Sequence, residues 1–142
     1  MRIIKLSASD EEMNTRDMVD LYFKESLAKR DPAGQFLLTK GRIRMGGIVV
    51  GEPLIFTYKG QIAYIAKASS GRITNTGSDR DIYPFYFIVD VNTIVPAQGS
   101  LADLESRLRH LGVLKKNILQ TQGWPQIADS PEGNQIWNEL NT

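Results

Sequence analysis

The residues of this sequence best suited to binding chemistry are basic and aromatic side chains in its central part. Two acids, Glu52 and Asp79, stand among seven basic residues there: Lys40, Arg42, Arg44, Lys59, Lys67, Arg72 and Arg80. Phe56, Tyr58 and Tyr64 are interleaved with them. Basic side chains neutralise phosphates and aromatic rings stack on bases, so this pattern indicates nucleic-acid binding. The same aromatics could instead form a buried core with the basic residues at its rim, and the sequence leaves both interpretations open.

A polar loop and one tryptophan add to this candidate set. The stretch from Ala68 to Ser78 is rich in small hydroxyl and amide residues that could donate hydrogen bonds to a phosphate, although it lacks the lysine and helix start of a P-loop. A plain flexible loop is the alternative. Trp124 stands in a glutamine-rich turn and is expected to be half exposed, whereas Trp137 sits beside Ile136 and is expected in the core.

The sequence gives little support for a catalytic or a metal-binding protein. The sequence has no cysteine and one histidine, His110, which removes disulfides, thiol nucleophiles and most triads and metal sites. We therefore expect no catalytic residue, no metal and no cofactor. A small enzyme that uses Asp79, Asp81 or Lys67 stays as an alternative, although no spacing selects it.

Composition and charge predict one globular domain. The chain has 142 residues, 42% of them apolar and 23% charged, with a formal charge of +1. That balance hides an acidic stretch from Asp10 to Glu25, which has six acids and two basic residues. No repeat or linker is visible, and no apolar segment approaches the roughly 18 residues of a membrane span. We expect a soluble, cytoplasmic protein that is not exported.

The elements that must position these residues can be predicted from patterning. Arg2 to Leu6 is a strand candidate, and helical spacing predicts a helix from Asp10 to Lys29 that ends before Pro32. Leu54 to Tyr58 and Gln61 to Ala68 form a predicted hairpin around a tight Lys59-Gly60 turn. Alternation places Ile62, Tyr64, Ala66 and Ala68 on one face of its second strand.

The second half of the chain predicts one further long strand and two helices. Pro84 to Val91 is a strong strand that could continue to Pro96 after a bend, and Ile118 to Gln120 could be a last short strand. Ser100 caps a helix closed by Gly112, and Ser130 caps a helix from Pro131 to Leu140. The sum is an α+β domain with a small, closed or nearly closed β-barrel of about five to six strands, flanked by helices at both ends.

Several of these segments resemble one known family in content and order. Val50 to Tyr58 looks like a Gly-Asp-x-hydrophobic strand with Glu52 in place of Asp, and Gln61 to Ala68 and Phe85 to Val91 look like the strands that follow. A Ser100-Leu101 helix start, Gln120 and Trp137 fit the ending. The stretch from about Gly46 to Leu140 thus resembles the PUA-like superfamily, and within it the EVE-type domain. The N-terminal tryptophan segment of that family is missing, and the first helix is longer.

The resemblance implies a barrel that binds RNA or DNA, often through a modified base held in an aromatic-walled pocket. Transferred to this chain, it makes Phe56, Tyr58 and Tyr64 pocket walls. Arg72 with Ser69 and Ser70 would read the base or a phosphate, and Lys59 and Lys67 would hold the backbone. Trp124 completes the candidate set.

These observations lead to one expected function and one alternative. We expect residues 1–142 to form a single PUA-like, EVE-like domain, with the strand and helix of residues 1–30 packed on the barrel. It would be a non-catalytic, prokaryotic reader of DNA or RNA, modified bases included, with no membrane partner. The alternative is a protein-interaction module of a multicomponent system, in which the acidic first helix and the basic sheet are docking faces for a protein partner or a second copy.

Overall fold

The structure, a computed structural model, describes residues 1–39, 47–114, 118–119 and 124–141. These residues form six strands and three α-helices. In chain order they are β1 (Arg2–Leu6), α1 (Arg16–Leu21), β2 (Gln35–Leu38), β3 (Pro53–Tyr58), β4 (Gln61–Ala68), β5 (Ile73–Thr74), β6 (Phe85–Pro96), α2 (Leu101–His110) and α3 (Pro131–Leu140). The predicted α+β, barrel-like fold is confirmed.

The strands form one mixed sheet that curls into a half-barrel. Its order is β1-β3-β4-β6-β2, with β1 parallel to β3 and the other pairs antiparallel. The 12-residue β6 makes the curl possible, because Phe85 to Ile88 pair with β2 while Val89 to Pro96 pair with β4. The short β5 pairs with the start of β6. Since β1 and β2 are the two ends of this order, the half-barrel is open between them.

Both faces of the sheet are buried, as the apolar patterning of β3 and β4 predicts. The interior cluster joins the inner face to α1 and includes Phe23, Phe36, Phe56, Tyr64 and Phe87. The outer cluster joins the other face to α2 and α3 and includes Ile3, Ile55, Ile65, Leu104 and Trp137. The aromatic side chains of the hairpin therefore point into the barrel.

A bulge in the hairpin changes the predicted alternation at Ile62 and Ala63, so that Ala63 rather than Ile62 lies on the face of Tyr64. The tight turn is confirmed, with positive φ at Lys59 (50°) and Gly60 (78°), the conformation that two-residue hairpin turns require. The register then shifts: Phe56 pairs with Tyr64 but Thr57 pairs with Ile62. Ala63 is the extra residue of this bulge. The prediction for Ile62 is therefore wrong, because its side chain packs in the outer cluster rather than beside Tyr64.

The first helix starts later than predicted. Helix α1 begins at Arg16, where the Thr15 hydroxyl accepts the backbone N–H of Met18 at 3.2 Å. The acids before it form a turn, because the Asp10 carboxylate accepts the N–H of Glu12 at 2.9 Å. After Leu21 the helix continues as a π-helical turn over Tyr22–Ser26, and it ends before the predicted Lys29.

The later helices match their predicted caps. The Ser100 hydroxyl accepts the N–H of Asp103 and the Ser130 hydroxyl that of Gly133, each at 3.0 Å. Residues 118–119 belong to no strand, so that part of the predicted last strand is wrong, and Gln120 lies outside the described residues. The basic residues Lys40, Arg42 and Arg44 also lie outside them.

A buried ion pair joins the start of β1 to the residue before β3. Arg2 Nε lies 3.3 Å from Glu52 Oε2, and both side chains are less than 5% exposed. The Gln126 side chain donates to Glu52 Oε1 at 3.0 Å, so the carboxylate has partners on two sides. Such a pair needs these partners because an uncompensated buried charge is costly.

No helix in the described part of the chain is long and apolar enough to cross a membrane.

Candidate functional site

A cleft of about 510 Å³ opens where the half-barrel fails to close. It lies between the end of β1 and the edge strand β2, and the turn before α1 covers one side. We call it the aromatic cleft; its lining residues are Lys5, Leu6, Ser7, Ser9, Asp10, Glu11, Glu12, Met13, Tyr22, Arg30, Phe36, Leu37, Thr39, Tyr83 and Trp124. Its volume falls within the range of about 300–1,000 Å³ that is usual for small-molecule sites.

Four aromatic side chains shape the cleft. Tyr22 and Phe36 are 3% and 4% exposed and form its buried base, with ring centroids 6.0 Å apart at an interplanar angle of 89°. Trp124 meets Phe36 edge to face at 6.0 Å. Trp124 and Tyr83 are only half-buried. They therefore supply the aromatic surface that a ligand can reach.

The indole of Trp124 is held against β1. Its Nε1 donates to the carbonyl oxygen of Lys5 at 3.1 Å, and the backbone N–H of Ile3 donates to the carbonyl of Pro125 at 2.9 Å. The segment that begins at Trp124 thus runs along the free edge of β1. Edge pairing of this kind satisfies backbone groups and fixes the ring beside the cleft.

A buried asparagine holds Tyr83 at the cleft. The Asn75 side chain, 6% exposed, donates to Asp79 Oδ1 at 2.8 Å and to the carbonyl oxygen of Tyr83 at 2.7 Å. Its own oxygen accepts the N–H of Gly77 at 2.9 Å. The Asn75 side chain therefore binds the loop between β5 and β6 at three points, in addition to the loop's backbone hydrogen bonds, and Tyr83 is the loop residue that reaches the cleft.

The cleft carries charge of both signs. Arg30 donates to Glu12 at 2.5 Å, and its guanidinium carbon lies 5.4 Å from the ring centroid of Tyr22. The Arg30 Nε is buried and has no hydrogen-bond partner among the described residues. Burial raises the pKa of Tyr83, and the carboxylates of Asp10 and Glu12 raise it further. Ser7, Ser9 and Thr39 add exposed hydroxyls at the rim.

The cleft presents aromatic faces, hydroxyls and carboxylates, which are groups that stack on a ligand or form hydrogen bonds with it. Among residues 1–39, 47–114, 118–119 and 124–141, no group of three or more His, Cys, Asp or Glu side chains could hold a metal ion.

The structure places the three aromatic residues of the predicted site in the barrel interior. Phe56, Tyr58 and Tyr64 are 0%, 4% and 2% exposed, and none of them lines the aromatic cleft. Tyr64 stacks on Phe23 with centroids 4.8 Å apart, and Phe56 lies 5.7 Å from Phe36. This is the core packing that the sequence leaves open as the alternative. Through Phe36, Phe56 supports the base of the cleft from behind.

The predicted basic and hydroxyl residues are spread over the molecule. Tyr58 pairs with Leu6, which lines the cleft, and Lys59 is the next residue. Lys59 therefore lies at the end of the strands that is beside the cleft. Lys67 lies near the other end of β4, roughly 20 Å away at about 3.3 Å per residue, and its Nζ sits 5.2 Å from the Trp137 ring on the outer face. Ser69 and Arg72 follow β4, and the Arg72 guanidinium lies 4.4 Å from the Phe85 ring centroid.

Ser70 has a structural role in the loop after β4. Its hydroxyl accepts the N–H of Ile88 at 2.8 Å and donates to the carbonyl of Gly71 at 2.8 Å. Ser69 donates to the carbonyl of Ile88 at 3.4 Å. These bonds hold the loop against β6, and neither serine lines the cleft.

Of the predicted site residues, Trp124 alone lines the cleft, half-buried as its polar surroundings predict. Sequence reasoning missed Tyr22, Phe36 and Tyr83. Tyr22 shares helical spacing with core residues, and Phe36 belongs to a short apolar run, so neither has a local signal of function. One local signal in the sequence points to this site, namely the acidic residues that begin at Asp10. They form an Asx-type turn, which keeps the segment before α1 out of the helix and beside the cleft.

No protein-family model matches this sequence, and no curated protein matches it. A solved structure does: the YTH domain of the Zygosaccharomyces rouxii MRB1 protein in complex with N6-methyladenosine RNA. The two chains are 15% identical, the TM-score is 0.55, and the match covers 99% of this chain and 86% of that chain. At this identity the likeness shows a shared fold.

Proposed function

We propose that this protein is a non-catalytic RNA-binding module that accepts one modified base in the aromatic cleft. The observation that carries the proposal is the cleft itself, with Trp124 and Tyr83 half exposed above a buried aromatic base. The shared fold supports it, because the YTH domain of similar structure was solved with N6-methyladenosine RNA. An EVE-type assignment within the same group of folds belongs to this proposal.

The physical case rests on what a single base needs from a protein. A base taken out of its stack loses contacts that aromatic side chains restore, at about 1–3 kcal/mol per base. Trp124 and Tyr83 offer these contacts, and the hydroxyls of Ser7, Ser9 and Thr39 offer hydrogen bonds to base edges. The function expected from the sequence, a reader of modified bases, is retained. Its proposed pocket is the cleft at the open end of the half-barrel and not the group of interior aromatic residues.

The RNA backbone would lie along the edge of the sheet that carries Lys59. Because Tyr58 pairs with Leu6, Lys59 is near the cleft, and its ammonium lies over the ring of Tyr58 at 5.5 Å. Lys67 lies on the outer face and near the other end of β4, so it would contact a different nucleotide or none.

The test is a binding titration with short labelled RNAs that differ in one base, adenosine or N6-methyladenosine, followed by fluorescence anisotropy. Tyr83→Ala should weaken binding of the modified RNA about tenfold or more, because one stacking surface is lost. Tyr86→Ala is the matched control: Tyr86 is a similarly half-buried tyrosine that does not line the cleft. No RNA binding at low salt, or equal affinities for wild type and Tyr83→Ala, would overturn the proposal.

A further inference from the structure

The described residues that line the aromatic cleft carry one net negative charge. The turn before α1 brings Asp10, Glu11 and Glu12 to the rim, against the cations of Lys5 and Arg30. An aromatic ligand with a positive charge is attracted to such a rim more than a neutral ligand of the same size. The sign of the charge therefore bears on which bases the cleft accepts.

Of the two cations of the cleft, Arg30 has a carboxylate partner, whereas Lys5 has a neutral carbonyl partner that leaves its charge uncompensated. The Lys5 ammonium donates to the carbonyl oxygen of Ile118, and Arg30 pairs with Glu12 at 2.5 Å. The Asp10 carboxylate accepts one backbone N–H, and Glu11 is exposed at the rim. After Arg30 has compensated Glu12, the carboxylates of Asp10 and Glu11 face the single charge of Lys5, so the described lining residues carry one net negative charge.

Arg30 also shows what kind of group this cleft stabilises. Its guanidinium is a planar cation that sits 5.4 Å from the ring centroid of Tyr22 while a carboxylate holds its edge. A cation over an aromatic face is stabilised by the ring quadrupole, and more so where water is partly excluded. Trp124 and Tyr83 are two further faces at which a ligand could make the same contact.

We infer that the aromatic cleft prefers a base that carries a positive charge, the class of ring-methylated purines such as 1-methyladenosine, over a neutral base of equal size. This inference rests on the proposed function, since it names the class of modified base that the same cleft would select.

The experiment compares two isomers. 1-Methyladenosine and N6-methyladenosine have the same atoms and one methyl group each, but only the first is a cation at neutral pH. Two short RNAs that differ in this base alone are titrated against the full chain at pH 7, where the two isomers do not interconvert appreciably during the measurement. The 1-methyladenosine RNA should bind roughly threefold to tenfold more tightly.

A double variant that neutralises two carboxylates identifies the source of this preference. Asp10→Asn with Glu11→Gln keeps the shape of the rim and should reduce the ratio of the two RNA affinities to about one, while the affinity for the N6-methyladenosine RNA changes little. Glu132→Gln is the matched control, because Glu132 lies in the first turn of α3 and does not line the cleft. It should leave the ratio unchanged.

The outcomes separate this inference from the proposed function. If the 1-methyladenosine RNA binds no better than the N6-methyladenosine RNA, the charge preference is overturned. If Tyr83→Ala weakens the binding of both RNAs in that case, the cleft is still the site that binds the base. If neither RNA binds, the proposed function fails. If neither RNA binds but a trimethyl-lysine peptide does, and Tyr83→Ala weakens that binding, the cation site is real but its ligand is a protein, which overturns the inference about bases.

Discussion

One hydrogen bond links the barrel interior to the acidic first helix. The Tyr64 hydroxyl donates to Asp20 Oδ1 at 2.7 Å, while the Tyr64 ring stacks on Phe23 of the same helical segment. This bond, more than the neighbouring Arg16, holds the pKa of Asp20 below its ordinary value. Tyr64, which the sequence suggests as a base-stacking residue, has a role in holding α1 on the sheet.

Tyr64→Phe should lower the free energy of unfolding by about 1 kcal/mol at pH 7, because it removes this bond while keeping the ring. The pKa of Asp20 is lower in the folded state than in the unfolded state, where it is about 3.9. The stabilisation that Asp20 provides is therefore fully present above the unfolded pKa and is lost as the pH falls through the folded pKa. The difference between wild type and variant should therefore shrink below about pH 4.

Urea unfolding from pH 3 to pH 7 measures this difference. Asp20→Asn serves as the control, since adding Tyr64→Phe to it should cost less than it does in the wild type. A stability loss that is the same at pH 3 and pH 7 would show that the bond to the ionised carboxylate is not its source.

At the scale of elements, the open end of the sheet depends on how β1 is attached. β1 pairs with β3 along five residues, and the Arg2–Glu52 pair with Gln126 joins β1, the approach to β3 and the segment after Trp124. The same three segments place Lys5, Leu6 and Trp124 at the cleft. The ion pair is thus a structural support for the site.

Glu52→Gln should destabilise the fold by about 3 kcal/mol, because it leaves the guanidinium of Arg2 buried without its counter-charge. Urea unfolding measures the loss. The double variant Arg2→Met with Glu52→Leu should recover most of it, since an apolar pair of similar volume needs no charge compensation. A double variant that is no more stable than Glu52→Gln would contradict this account of the pair.

The loop that carries Tyr83 is the second element on which the cleft depends. Asn75→Ala removes the hydrogen bonds to Asp79, Gly77 and the Tyr83 carbonyl. We expect faster amide exchange across residues 75–83 and RNA affinity reduced toward that of Tyr83→Ala, because the ring is no longer held in place.

Asp81→Ala, in the same loop but without a part in the Asn75 network, is the comparison for this variant. Unchanged RNA affinity in Asn75→Ala despite faster exchange would mean that the loop need not be ordered for binding.

Most elements of the fold can be predicted from the sequence because their signals are local. Ser100 and Ser130 mark helix starts, and Lys59-Gly60 between two apolar runs marks the hairpin. The start of α1 is missed because Asp10 to Glu12 suit a helix N-terminus and an Asx turn equally well. The bulge at Ala63 is missed because strict alternation is the only pattern that sequence reasoning can assume.

The candidate site is less predictable because topology assembles it. Its aromatic residues, Tyr22, Phe36, Tyr83 and Trp124, are far apart in sequence and meet only because β1 and β2 end the sheet on either side of one opening. Phe56 and Tyr64 lie in strands with apolar residues on both faces, so alternation cannot show which face is open. Trp124 was identifiable because its polar neighbours give no core stripe.

At the scale of the whole molecule, an incomplete barrel leaves room for a ligand. A closed barrel of this size would fill its interior with side chains, as Phe56, Tyr64 and Phe87 do here. The gap between β1 and β2 instead leaves a cleft that Trp124, Tyr83 and an acidic turn surround. Under the proposed function, a ligand binds at the open end of the sheet, and the interior aromatic residues contribute to stability.

The most direct test of this claim follows the two indole N–H signals by NMR while an RNA with one methylated adenine is added. Trp124 and Trp137 are the two tryptophans of the chain, one in the cleft and one buried under the outer face. We predict that the Trp124 signal shifts in a saturable manner and that the Trp137 signal stays in place. Saturable RNA binding with an unmoved Trp124 signal would contradict binding at the cleft.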